Sequence, residues 1–337
     1  MNSSRQQQGL FMIIFFVGFT IIIYTLVNRS SVAVANQMIL VDVQKSKPPP
    51  SKDVSEIGRV LILYVWGNTD VQSLGNLEFF ILHGVRETQP ADYYFILQRM
   101  NKTAVDESLL PVLPSNAHYV QHENECRDIG TFGWFLSQNI TNTTAYKYFI
   151  FMNSSVRGPF LVPYFETFGI WWFDIFIRRL NDRVKLVGPS INCEQQPHVQ
   201  SYMMATDQVG FQFLTGNGSR IFSCHASQRD AVFNGEIAAS QMLLKANYQI
   251  ASLQSKYQGW DFEKPENQGC NYGASPIFRD GALDTIQHDP FELIFVKFKG
   301  NPPFDTELER RALIYQKWLD ERPFSIKTNL TNRTKTH

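Results

Sequence analysis

The hydrophobic pattern divides the chain into three parts. Leu10 to Val27 reads LFMIIFFVGFTIIIYTLV, and no charged residue occurs between Gln6 and Asn28. An uncharged apolar stretch of about 18 residues is long enough to cross a bilayer as a helix. From Lys45 to Ser51 the chain is KSKPPPS, an extended, proline-rich spacer. Beyond it, short apolar runs alternate with amphipathic ones. Val60 to Trp66 (VLILYVW) is continuous and rich in β-branched and aromatic residues, the pattern of a buried parallel strand. Between Gln72 and His83, Leu74, Leu77, Phe80 and Ile81 recur at helical spacing, and Gly84 is a stop signal. Further strands are predicted at Tyr93–Leu97, Tyr119–Gln121 and Tyr148–Met152, with a short helix over Gly130–Ser137. Trp171–Leu180 reads as a helix, Val184–Gly188 as a strand, and His198–Thr206 as a strand of mixed polarity. Asp207 is placed to cap a helix through Leu214. A helix over Gly235–Ala246, a strand over Tyr248–Leu253 and a charged helix over Glu307–Arg322 complete the pattern.

Strands and helices alternating at this spacing predict an α/β fold with a mostly parallel sheet. Ligands in such sheets bind beyond the carboxyl ends of the strands. That rule selects Gly67-Asn68, the stretch Asn124–Gly130, and Asn153–Pro159. The expected organisation is a cytosolic tail (1–9), a membrane anchor (10–27), a stem (28–57), one large domain (58–325) and a loose polar tail (326–337).

A cleaved signal peptide is the rival reading of the N-terminus, since Ala33-Val34-Ala35 offers a small-x-small site. The apolar run exceeds the usual 7–15 residues of a signal core, which favours the anchor. Sequons at Asn101, Asn139, Asn142, Asn217, Asn329 and Asn332 follow it. Together they predict a single-pass type II protein of the Golgi or ER membrane with its domain in the lumen. Composition adds limits. A 44% hydrophobic fraction supports a sizeable core, and 31 basic against 31 acidic side chains argue against a nucleic-acid partner. The four cysteines form no C-x-x-C pair, so a zinc site is not expected. One or two disulfides, or buried free thiols, fit equally, and three full pairings stay open.

Five blocks in order carry a family likeness. They are Asn76-Leu-Glu-Phe-Phe80 with His83-Gly-Val85, then Asn124-Glu-Cys-Arg-Asp128-Ile-Gly130, then Phe151-Met-Asn153-Ser-Ser155-Val-Arg-Gly158-Pro159. Gly188-Pro189 with His198-Val-Gln200-Ser201-Tyr202, and Gly235-Glu236 leading to Asn247-Tyr248, follow. Over roughly residues 60–255 the chain resembles the rhamnan synthesis protein F type of polysaccharide glycosyltransferase, and more broadly the GT-A fold. The resemblance implies a GT-A-like, Rossmann-type mixed, mostly parallel sheet with helices on both faces. It also implies transfer of a sugar, most simply a hexose, from a nucleotide-sugar donor to a glycan or glycoprotein acceptor.

The resemblance, the strand-end rule and the chemistry of the side chains together give the candidate residues. Asn68, Arg127, Asp128, Asn153, Ser155 and Arg157 would meet the donor, with Asp128 on sugar hydroxyls and the Arg157 fork on phosphate. His198 and Gln200, on one face of their strand, and Ser201 would shape the sugar pocket. Glu236 would be the catalytic base, with Asp230 its competitor. His288, Asp289 and Lys297 form a late block from which a basic residue could fold back onto a diphosphate. In GT-A enzymes an Asp-x-Asp usually chelates a divalent cation, Mn or Mg. Here Asn153-Ser154-Ser155 stands in its place, which weighs against a metal and leaves Asn153 a weak ligand candidate. Two other readings remain: a catalytically silent carbohydrate- or nucleotide-sugar-binding protein on the same fold, and a glycoside hydrolase, which would need two facing carboxylates. Asn153, Ser155 and Asp128 could also serve only as turn and helix caps.

Overall fold

A computed structural model of the chain describes residues 58–123, 125–162, 164–270, 288–300 and 307–321. The expected cytosolic tail, anchor, stem and C-terminal tail, together with Asn124, Asn329 and Asn332, lie outside the described residues. Among the described residues no helix is long and apolar enough to cross a membrane.

The strand β1 (Val60–Trp66) is buried along its whole length because it is sandwiched between two apolar layers. Ile62 and Tyr64 point into one, Leu61 and Leu63 into the other. This is what a continuous apolar run does at the centre of a sheet, where each fully buried large side chain contributes about 1.5–3 kcal/mol. Helix α1 (Ser73–Gly84) covers the first face through Leu77 and Phe80. The chain then builds outward through parallel strands β2 (Ala91–Arg99) and β3 (Ala117–Glu123). Helix α2 (Arg127–Ser137) covers the second face through Phe132 and Phe135.

From there the chain returns to the other side of β1, where β4 (Tyr148–Asn153) pairs with it in parallel. A two-residue strand β5 (Val156–Arg157) and short helices α3 (Tyr164–Thr167) and α4 (Asp174–Ile177) follow. Then come β6 (Val184–Gly188), the small ribbon β7 (Ile191–Asn192) and β8 (His198–Val199), and β9 (Met203–Asp207). Helix α5 (Gln208–Thr215) starts where Asp207 Oδ1 accepts from Gly210 N at 2.9 Å. A helical run comprises α6 (Gln228–Asp230), a π segment (Ala231–Ile237) and α7 (Ala238–Lys245). It leads to β10 (Gln249–Ser252). After α8 (Pro290–Leu293), β11 (Val296–Lys297) pairs antiparallel with β5, and α9 (Glu307–Asp320) closes the described chain.

The main sheet has seven strands in the order β10-β6-β9-β4-β1-β2-β3. Only β9 runs against the others. The mixed, mostly parallel sheet with helices on both faces is therefore as expected. Two elements differ. The expected strand 198–206 breaks into β8 and β9 around a turn at Ser201-Tyr202. The expected helix 171–180 contracts to the four residues of α4, since Trp171 N is held by Asp174 Oδ2 at 2.8 Å and Asn181 Oδ1 caps the turn into β6.

Both pairs of cysteines are bridged. Cys126–Cys224 joins the start of α2 to the segment ahead of α6, and Cys193–Cys270 closes the second loop. Gly130 and Gly133 make the first junction a close one: a Cβ on Gly133 would sit 1.9 Å from the Phe222 carbonyl oxygen.

Candidate functional site

Because the chain leaves β1 toward β2 on one side and returns at β4 on the other, the sheet has a switch point between β1 and β4. In open α/β sheets this is where ligands bind. The strand ends are level there: Val65 pairs with Asn153, and Trp66 with Leu97. Backbone bonds knit the floor, from Ser154 N to Val65 O at 2.9 Å and from Asn153 N to Tyr202 O at 3.1 Å. Above it lies a cleft of about 400 Å³.

On one wall, α2 presents Arg127 and Asp128. Arg127 has a positive φ of 55°, unusual for a residue with a side chain. Gln98 at the end of β2 holds that conformation by donating to Arg127 O at 3.2 Å and Thr131 Oγ1 at 2.9 Å. Asp128 accepts from Ile129 N at 3.0 Å and, through its other oxygen, from the Asn153 amide. Asn153 Oδ1 accepts in turn from Ser155 N at 3.0 Å and from the Ser155 hydroxyl. Four expected donor residues, Arg127, Asp128, Asn153 and Ser155, thus line one cleft.

The opposite wall is the π segment, which carries Glu236. Its side chain is 17% exposed. Oε2 accepts from Ser201 Oγ at 2.8 Å, and Oε1 lies 3.6 Å from His198 Nε2. His198 Nδ1 is 2.7 Å from the Gln196 carbonyl, which can only accept, so Nδ1 carries a proton. Burial works to raise the Glu236 pKa, but His198 and the two Ser201 hydrogen bonds outweigh it and hold the carboxyl below its ordinary value. Gly235 permits this wall to approach Ile129 of α2, its missing Cβ having only about 3.0 Å of room.

The third side comes from the end of the chain. Lys297 and Lys299 both line the cleft. The Lys297 ammonium sits 5.6 Å from the centre of the Tyr202 ring. Burial pulls its pKa down, and Glu236 and Asp128 pull it back up. Among the expected late block, Lys297 reaches the site. His288 is buried against Gln254, at 3.2 Å between Nε2 atoms, and its burial pushes its pKa down to about 4. Asp289 caps α8 and bonds Arg311 Nη1 at 2.9 Å.

Several expected residues stand elsewhere. Asn68 is exposed and not part of the lining, where its neighbours Gly67 and Thr69 are. Arg157 points away from the cleft. Its guanidinium stacks 3.9 Å from the Phe298 ring, and Nε donates to Asn76 Oδ1 at 2.9 Å. Burial lowers its pKa to about 10. His198 and Gln200 do not share a strand face, because the strand ends at Val199. His198 stands behind Glu236, while Gln200 Oε1 accepts from Ser190 Oγ at 2.7 Å. Asp230 faces outward, bordering a separate surface hollow with Arg229 and Phe233. The Asn234 amide and the His225 ring hold its carboxyl below the usual range. Gln98 and Lys299 were not anticipated: a polar residue at a strand end or in a connecting segment carries no distinguishing pattern.

No family model and no curated protein matches the sequence. Among solved structures the chain is similar to a mannosyltransferase, PcManGT from Pyrobaculum calidifontis, in complex with GDP-Man and Mn2+. That similarity covers 61% of this chain and 58% of that one, with 11% identity and a TM-score of 0.36. Two structures of the glycosyltransferase GlyE from Streptococcus pneumoniae TIGR4, one of them the apo-form, are similar over 78% of this chain. They show 9% identity and a TM-score of 0.39, over 63% and 64% of their own length. The chain therefore spans less than two thirds of each of these structures. Likeness at this level assigns neither a family nor an activity to it.

Proposed function

We propose that the chain is a glycosyltransferase that moves a sugar from a nucleoside-diphosphate sugar to a hydroxyl of a glycan or glycoprotein acceptor. The observation that carries this reading is the pairing, across one switch-point cleft, of an ionised carboxylate with a cationic side. Glu236, held below its usual pKa, faces a rim with Arg127, Lys297 and Lys299. A transfer reaction needs both: a base for the acceptor proton and positive charge for the departing diphosphate.

In the reaction, Glu236 takes the proton of the acceptor hydroxyl as that oxygen bonds the anomeric carbon. The bond from that carbon to the diphosphate oxygen breaks, and the nucleoside diphosphate leaves with the electron pair. A single displacement of this kind inverts the anomeric centre. Asp128 and the Asn153 amide are placed for sugar or ribose hydroxyls, Ser201 orients Glu236, and the buried floor excludes water. A hydrolase is favoured less. Asp128 and Glu236 do share the cleft, but a general acid needs a raised pKa, and that of Glu236 is lowered.

A lumenal setting and a membrane anchor over 10–27 belong to the same proposal. Three features support it: the uncharged apolar stretch, the exposed sequons Asn139, Asn142 and Asn217, and two disulfides, which persist in oxidising compartments. Endoglycosidase sensitivity of the full chain and protease protection in sealed microsomes test it. The activity is tested by screening nucleotide-sugars against the full chain with glycan acceptors. Transfer is expected with one donor, and Glu236→Gln should lower kcat about 10²- to 10⁴-fold while donor affinity holds. Donor binding with no transfer to any acceptor and no donor hydrolysis would indicate the silent binding protein instead.

A further inference from the structure

A divalent cation is the usual partner of a sugar diphosphate, and the side chains present do not fit one. Hard cations take about six oxygens at short range. At the end of β4 the candidate oxygen, Asn153 Oδ1, already accepts twice from Ser155. Asp128 has one oxygen on Ile129 N and the other on the Asn153 amide. Glu236 has one oxygen on Ser201 and the other facing His198. Among the described residues no group of three His, Cys, Asp or Glu side chains could hold a metal ion.

The same place instead receives side-chain cations. β11 pairs with β5, immediately after the Asn153-Ser154-Ser155 turn, and sets Lys297 opposite Val156. Phe298 N donates to Ser155 O at 2.9 Å, so the segment between the two lysines is bonded to the turn itself. Asn76 clamps both partners, its amide donating to Ser154 O at 2.8 Å and Phe298 O at 2.9 Å. Arg157 stacks on Phe298 from behind. Further on, Gly300 N reaches Asp70 and Gly300 O accepts from Gln72 at 3.0 Å, which ties the segment across to the β1–α1 connection. The half-buried Lys297 ammonium lies over Tyr202 and makes no direct ion pair with a described residue, while Glu236 and Asp128 act on it from the lining of the same cleft. An ammonium that lines a cleft without a bonded carboxylate can form a charge-assisted bond to an anionic ligand there.

We infer that Lys297 and Lys299, delivered to the β4 turn by β11, neutralise the diphosphate of the donor in place of a divalent cation. This rests on the proposed transferase reading and specifies how its leaving group is stabilised. Lysine serves as a point charge on phosphate, and a charge-assisted bond of this kind accounts for about ten- to a hundredfold in affinity.

The test is calorimetric titration of the full chain with UDP, GDP, ADP and CDP, in EDTA and then with added Mn2+ or Mg2+. The expected result is one nucleotide that binds equally in both conditions. Lys297→Met, which keeps the apolar stem against Tyr202, should weaken that nucleotide about ten- to a hundredfold, and Lys297→Arg should restore most of the loss. Lys299→Gln, at an exposed position, should weaken it less and is the check if Lys297→Met does not fold. Binding seen only with Mn2+ or Mg2+ overturns the inference and leaves the transferase reading standing. Unchanged affinity in both lysine variants also overturns it. Absence of nucleotide binding in every condition sinks the transferase reading and the inference together.

Discussion

The Cys126–Cys224 bridge is the junction between the two walls of the cleft, and its removal is the sharpest test of how those walls are held. The linked residues are 98 positions apart. For a loop of about 100 residues the chain-entropy relation gives about 4.7 kcal/mol, and realised values usually fall at 2–4 kcal/mol. A domain of this size shifts by about 2–4 °C for each kcal/mol, so Cys126→Ser with Cys224→Ser should lower Tm by about 5–15 °C. Reduction should act on this bridge first, because Cys224 is exposed whereas Cys193 and Cys270 are each 4% exposed. The assay is thermal unfolding with and without a mild reductant, alongside mass-tag alkylation of the folded protein. Two thiols should appear under native reduction and four only after unfolding. Nucleotide affinity should fall with the bridge, since Arg127 and Asp128 begin the helix that it anchors. A double-serine variant that melts within about 2 °C of the parent would refute the reasoning, because the loop-closure contribution would then be absent.

Other outcomes follow from single groups. His288, with its pKa pushed down to about 4 from 6.5, lowers stability as pH falls from 6.5 through 4, by about 3 kcal/mol in all. Urea melts across that range should show the slope, and His288→Gln should flatten it. Gly133→Ala should cost more than about 3 kcal/mol, because its Cβ would meet backbone 1.9 Å away, whereas Gly269→Ala, with nothing within 4 Å, should stay within about 0.5 kcal/mol. The rate of transfer should fall off in acid only below the ordinary glutamate range, since Glu236 is depressed, and in alkali below the ordinary lysine range, since Lys297 is depressed too. Lys297→Arg should move the alkaline limb upward, as a pH profile of kcat/KM would show.

Runs with one dominant signal were legible in the sequence. β1 matches its expected limits because a continuous apolar run has only one use in a parallel sheet, and β6 matches its own limits as well. Asp207 was legible as a cap because its side chain accepts from a backbone donor three residues on, a purely local interaction. Long-range choices were not. Arg157 reads as a phosphate ligand until β11 arrives from 140 residues downstream and lays Phe298 on it. The segment 198–206 alternates too weakly to show that the ribbon of β7 and β8 would take its first residues and a turn its middle. Glu236 was recognisable as an acidic residue early in a helix, but its partners, Ser201 and His198, lie 35 and 38 residues away in sequence. Gln98 and Lys299 are ordinary polar residues whose position comes only from the folded sheet.

The π segment leaves the molecule with an unusual point of adjustment. Its wide turn holds one residue more than an ordinary helical turn, and that surplus can be lost without disturbing any strand. Excising a single residue between Ala231 and Asn234 would tighten that turn toward ordinary helical pitch and shift the residues ahead of Glu236, which lies at the C-terminal end of the segment next to α7. Natural or engineered length variation at this spot would reshape one rim of the cavity independently of its proton acceptor, a route to altered ligand choice that spares the core.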